Sequence, residues 1–139
     1  MKIIKILIAE SSPIISSGLS SFFNGMNQIV VASIVDNVED LQDKIIIHNP
    51  DVLIINPMML GYMVNAFVKQ MTQNYPNINR VALVTSYVDK NILKNFKEVI
   101  ELNDNKQKVV NKYLIFRIIM KKLLYKMKVS TCQIVRSMF

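Results

Sequence analysis

Glycine, histidine and cysteine are scarce in this chain, and each scarcity removes a class of function. Three glycines in 139 residues leave no G-x-G-x-x-G run and no Walker-type loop. A dinucleotide or nucleoside-triphosphate site would therefore lack its usual anion cradle. One histidine, His48, and one cysteine, Cys132, are too few for a zinc centre or a histidine-based triad. A single cysteine cannot form an internal disulfide, which fits a reducing compartment, so a cytoplasmic location is expected. No apolar run approaches the roughly 18 residues that a spanning helix needs. Lys5 and Glu10 interrupt the apolar N-terminal stretch, so no signal peptide is expected. Cys132 reads as a bystander. His48 reads as a packed or capping residue on the core side of a helix.

What the chain does have is apolar mass. Hydrophobic residues make up 51% and charged residues 19%, the balance of a globular domain rather than a disordered chain. The length suits one core. The net charge of +7 is unevenly placed. Lysines, arginines and carboxylates cancel over residues 1–100, whereas residues 101–139 hold nine Lys/Arg against Glu101 and Asp104. A neutral domain carries a basic end.

The hydrophobic pattern alternates between strands and helices. Ile3–Ala9 and Ile29–Val35 read as buried strands, as does the short run Asp51–Ile55, fenced by Pro50 and Pro57. Arg80–Thr85 and Val99–Leu102 read as the fourth and fifth strands. Between them, Ser12 and Pro13 open a helix with Ile15, Leu19, Phe22 and Phe23 on one face, which Asn24-Gly25 ends. Asp36 or Asn37 caps a second helix, with Val38, Leu41, Ile45 and His48 on its apolar face and Asn49-Pro50 as its stop. Met63, Phe67 and Met71 mark a third, and Asp89–Phe96 a short fourth. A last helix is expected from Asn105 towards Lys128. The fold class is therefore α/β: a five-stranded parallel sheet, doubly wound as (βα)5, flavodoxin-like, with an extended C-terminal helix. In such a sheet ligands sit beyond the carboxyl ends of the strands, which puts Asn56, at the end of the third strand, in the position of interest. A flavin-binding role is disfavoured, because no glycine- and hydroxyl-rich phosphate loop follows the first strand; Glu10-Ser11-Ser12 is only a faint echo of one.

Two stretches carry a resemblance. Ile6-Leu-Ile-Ala-Glu-Ser-Ser-Pro-Ile-Ile-Ser-Ser-Gly-Leu19 and Pro50-Asp-Val-Leu-Ile-Ile-Asn-Pro-Met-Met-Leu-Gly61 resemble the acidic corner and the phosphoacceptor loop of response-regulator receiver domains. Val84-Thr85-Ser86-Tyr87 agrees with the family's fourth strand. The resemblance is to CheY-like receivers of the LuxR/NarL branch and covers roughly residues 3–115. It implies a two-component signalling role without catalysis of the domain's own. It also implies which positions matter. Asn56 stands where the family places the aspartate that becomes an acyl phosphate. An amide oxygen is uncharged and poorly nucleophilic, so that step is lost. Glu10 and Ser11 occupy the acidic Mg²⁺ corner with one charge missing, so Mg²⁺ is expected at most weakly, at Glu10. Thr85 keeps the switch hydroxyl, whereas the switch lysine falls at Asn103. Deamidation of Asn56 would need the next residue's backbone N–H, which Pro57 lacks. The implied protein is a degenerate, phosphorylation-independent pseudo-receiver. Without the resemblance, Asn56 and Ser11 read simply as polar strand ends of an α/β domain. Leu60, where the family has proline, and a shortened segment between Tyr87 and Asn103 imply a remodelled signalling face.

The basic end divides the chain into a receiver-like domain over 1–117 and an extension over 118–139. In the helical pattern that runs into the extension, Phe116, Met120, Leu123 and Met127 share a stripe with Leu124 beside it, flanked by lysines. These five are the candidate interface residues. Self-association into a homodimer is the favoured use of the stripe, ahead of an anionic membrane surface or nucleic acid. Residues 129–139 are too few for a helix-turn-helix reader, so DNA contact is expected only through a domain outside this chain. The competing reading is a small basic nucleic-acid-binding module using the last helix. Salt separates the two, because counterion release makes nucleic-acid affinity fall steeply with salt and an apolar contact barely changes. Arg117 and Arg136 are the only arginines in the segment, which disfavours base readout.

Overall fold

The computed structural model describes residues 3–96 and 98–101. Its centre is a parallel sheet of five strands, β1 (Ile4–Ala9), β2 (Ile29–Val35), β3 (Val52–Ile55), β4 (Asn79–Val84) and β5 (Glu98–Glu101). They lie in the order β2-β1-β3-β4-β5. The order reverses at β1, so helices must cover both faces and a crevice opens beyond the strand ends at the reversal. Every strand pair is parallel. β3 is buried at all four positions, as a strand covered on both faces requires.

Among the described residues four α-helices follow the strands: α1 (Pro13–Asn24), α2 (Leu41–His48), α3 (Val64–Asn74) and α4 (Lys90–Leu93). Leu41 and Ile45 of α2 pack with Val64, Val68 and Met71 of α3 against Leu7, Ala9, Leu53, Ile55 and Ala82 of the sheet. α1 lies against β1 and β2 and buries Phe23 and Ser16.

The sequence pattern locates each of these elements but not all their bounds: the fourth helix, expected over Asp89–Phe96, spans only Lys90–Leu93. α2 starts at Leu41, later than a cap at Asp36 or Asn37 implies. The Asn37 side chain accepts the Asp40 N–H (2.9 Å) and donates to Asp40 (3.1 Å), so residues 37–40 form a turn of their own and Asp40 becomes the residue before the helix. The buried face of α3 is Val64, Val68 and Met71. Met63 is 42% exposed and Phe67 half-buried, because the helix begins one residue after Met63 and rotates both towards its flank. Gly25 ends α1 in a right-handed conformation, so its freedom to adopt positive φ is not used there. The extended C-terminal helix and the division at residue 117 concern positions outside the described residues. Among the described residues no helix is long and apolar enough to cross a membrane.

Positive φ occurs at Asn49 (φ 43°), which closes α2, and at Gly61 (φ 55°). A Cβ on Gly61 would meet nothing within 4 Å, so only the backbone conformation opposes a side chain there. Gly18, inside α1, has equally open surroundings and no such φ. The same substitution should therefore act with opposite signs. Gly61→Ala is expected to lower stability by about 1 kcal/mol, and Gly18→Ala to raise it by about 0.5–1 kcal/mol. Urea unfolding of the two variants checks both.

Candidate functional site

Three side chains meet where β1, β3 and β4 end. The parallel ladder continues one residue past the strands: the Asn56 N–H donates to the Ala9 carbonyl (3.0 Å), and the Glu10 N–H to the Val35 carbonyl (3.0 Å). These bonds fix both backbones and aim Glu10 and Asn56 into one crevice. Both side chains are buried, at 2% and 5% exposure, and Thr85, one residue past β4, is half-buried beside them.

The Asn56 amide is the hub. Its Nδ2 donates to Glu10 Oε2 (2.8 Å) and to Thr85 Oγ1 (3.0 Å), which uses both of its hydrogens. Its Oδ1 accepts the Met58 N–H (3.0 Å). The other oxygen of Glu10, Oε1, accepts the Ser12 N–H (3.0 Å) as the chain enters α1. The partners dictate this orientation of the amide, because a flipped amide would set an oxygen against the Glu10 carboxylate and a nitrogen against the Met58 N–H. A hydrogen bond to a carboxylate in a buried site is among the stronger ones a protein makes.

Of the positions marked in the sequence, Glu10, Asn56 and Thr85 are brought together. Ser11 is adjacent but exposed, and its residue type supplies no second carboxylate. Asn103 and the candidate interface residues Phe116, Met120, Leu123, Leu124 and Met127 lie outside the described residues. The backbone donors of Ser12 and Met58 were not anticipated. A signal for the second is present in the sequence: Asn56 before Pro57 is the pattern of a capping residue with proline at the first helical position, and Asn56 does cap the 3₁₀ turn Pro57–Met59. Leu60, where the resembling family has proline, is 3% exposed and belongs to the core.

The arrangement presents an amide N–H, not an anionic oxygen, to the one buried carboxylate among the described residues. An aspartate at position 56 would face Glu10 at hydrogen-bonding distance with no proton between them. Asn56→Asp is therefore expected to destabilise the protein by about 3 kcal/mol in chelator, and added Mg²⁺ should recover part of that loss in the variant alone. Urea unfolding with and without Mg²⁺ measures this. A variant as stable as wild type in chelator would contradict the described network.

No protein-family model matches the sequence, and no curated protein matches it. Solved structures do match in shape. The isolated receiver domain of RcsB from Salmonella enterica serovar Typhimurium, determined with a beryllofluoride phosphomimetic, aligns with a TM-score of 0.66 at 15% identity, over 77% of this chain and 83% of that one. RcsB from the same organism bound to promoter DNA aligns at 0.68 and 14% identity over 78% of this chain, which spans only 57% of that longer one. The signal receiver domain of a DNA-binding response regulator from Colwellia psychrerythraea aligns at 0.64 and 20% identity, over 88% of this chain and 98% of that one. At such identities the likeness is one of fold. By its strand order, its all-parallel sheet and these likenesses, the chain has the fold of a response-regulator receiver domain.

Proposed function

We propose that this chain is a pseudo-receiver: a non-catalytic regulatory domain of the two-component type that works without phosphorylation, through protein–protein contacts and self-association. One observation carries the reading. The side chain at the phosphoacceptor position, Asn56, is an amide whose two N–H groups are spent on Glu10 and Thr85. Phosphoryl transfer to a carboxylate needs a free anionic oxygen. Here the only side-chain oxygen at the position is neutral and holds the Met58 N–H.

The residues present do not fit Mg²⁺. That ion asks for near-octahedral oxygen ligands and one or two carboxylates. Among the described residues Glu10 is the single carboxylate in the crevice, and the atom set against its Oε2 is a hydrogen-bond donor rather than a second ligand. Both Glu10 oxygens already accept N–H groups. The crevice satisfies itself with a proton donor in the place where a receiver would use a cation. The role left to Thr85 is that of a fixed acceptor, and Asn103 supplies no switch cation.

On this reading residues 1–117 are the regulatory domain and residues 118–139 an extension that supports homodimerisation. The setting is the cytoplasm, and the contacts are with signalling proteins. Any link to transcription runs through a DNA-binding domain outside this chain, by analogy with the DNA-bound RcsB whose receiver shares this fold.

Incubation with acetyl phosphate and Mg²⁺, followed by intact-mass measurement, tests the reading. No phosphoryl adduct is expected on the wild-type chain. An adduct lost in Asn56→Ala would overturn it, since the position would then be doing chemistry. A response-regulator receiver of proven competence, run in parallel, shows that the donor is active.

A further inference from the structure

Away from the crevice, a groove of about 190 Å³ runs between α2 and α3. Its floor is Leu41, Ile45 and Leu60, all buried in the core. Its walls include Met63 and Ala66, both exposed, and the half-buried Phe67. The side chains with polar groups that line it are Gln42, Gln70 and Tyr75, and none of its lining residues is charged. Ile46, one residue on from Ile45, is 60% exposed and extends the apolar surface over the outside of α2. A two-helix groove of this kind, apolar along its floor with neutral amides at its edge, is the shape that receives an amphipathic helix.

The entry to α2 is rich in carboxylates, with Lys44 after them in the same turn and Lys69 on α3 beside Gln70. Asp36, Glu39, Asp40 and Asp43 follow one another with no basic residue among them, and all four are exposed. They form an acidic shoulder on the entry to α2 and its first turn. The counterpart is in the same sequence. Residues 118–128 carry Lys121, Lys122, Lys126 and Lys128 and no carboxylate. Their apolar positions Met120, Leu123 and Met127, with Phe116 before them, recur at helical spacing. As a helix the segment would be about 16 Å long, against about 12 Å for α2, at 1.5 Å per residue.

We infer that the α2–α3 groove is a docking site for residues 118–128 of a second copy of this chain. The apolar stripe fills the groove, and the lysines meet the acidic shoulder. Two such contacts related by a two-fold axis close a dimer. β5, the last described strand, forms the edge of the sheet opposite β2. The apolar stripe carries most of the affinity, and the shoulder fixes the direction of docking and adds a modest dependence on salt. The inference rests on the proposed self-association and names the surface it uses.

Complementation between two full-length variants tests it by sedimentation equilibrium. Ala66→Arg puts a charged side chain into the groove at an exposed position. The double variant Leu123→Asp, Met127→Asp breaks the stripe. Each alone is expected to self-associate about tenfold more weakly than wild type, or worse. Mixed at equal concentration, they should form a heterodimer, because one copy keeps its groove and the other its stripe. A second pair avoids any effect on packing: Glu39→Lys with Asp43→Lys should weaken association, and a partner carrying Lys121→Glu and Lys122→Glu should restore it. If Ala66→Arg associates as wild type does, or if neither mixture recovers a dimer, the groove is not the docking site. A wild-type chain that stays monomeric at its highest soluble concentration would overturn both this inference and the proposed self-association, while the acetyl phosphate experiment would still decide phosphorylation independence.

Discussion

The hydrogen bond from Asn56 Nδ2 to Glu10 Oε2 is the constraint around which this site is built. Glu10 is a carboxylate at 2% exposure, and a buried carboxylate needs donors or a cation. Asn56 supplies one donor at 2.8 Å and the Ser12 backbone supplies the other at 3.0 Å. With that bond made, the crevice at the carboxyl ends of β1, β3 and β4 holds its charge without an ion. An aspartate in the same place would reverse the sign of the contact. The difference between an amide and a carboxylate, nearly isosteric groups, thus separates a crevice that closes on itself from one that calls for metal and phosphate.

The fold holds this bond in place from several directions. Strand pairing sets Ala9 opposite Ile55, so the residues that follow each strand emerge side by side. Pro57 starts a 3₁₀ turn that presents the Met58 N–H to Asn56 Oδ1 and so turns the amide's nitrogen inward. Thr85 comes from the next strand and takes the second hydrogen. Each contact satisfies a group that burial would otherwise leave unpaired. Glu10, Asn56 and Thr85 are thereby tied to one another and to two backbone N–H groups.

Much of the architecture is legible in the sequence because parallel strands buried on both faces leave an unmistakable trace. Val52–Ile55 between two prolines, and the apolar run of β1, could hardly be anything else. Helix starts were less legible. The side chain of Asn37 competes with the helix for the Asp40 N–H, and propensity reasoning does not say which wins. On α3 the pattern finds the buried Met71 but not Val64 and Val68, and Met63 belongs to the turn before the helix. The convergence of Glu10, Asn56 and Thr85 was legible from the resemblance, whereas the direction of the amide was not. That depends on a backbone N–H two residues away, which only the folded loop brings into range. Asn103 and the five stripe residues lie outside the described residues, and their roles remain part of the proposal.

The groove and the crevice differ in lining. One is a closed polar cluster at the strand ends, and the other is an open apolar channel between α2 and α3 beside an acidic shoulder. The most direct measurement of the central claim is the side-chain amide of Asn56 in a ¹⁵N–¹H NMR spectrum titrated with Mg²⁺. The account predicts two Asn56 Nδ2 proton resonances, exchanging slowly with water, which do not move as Mg²⁺ is raised. Saturable shifts at Asn56 that spread to Thr85 and β5 would show a cation displacing the amide from Glu10, and would contradict it.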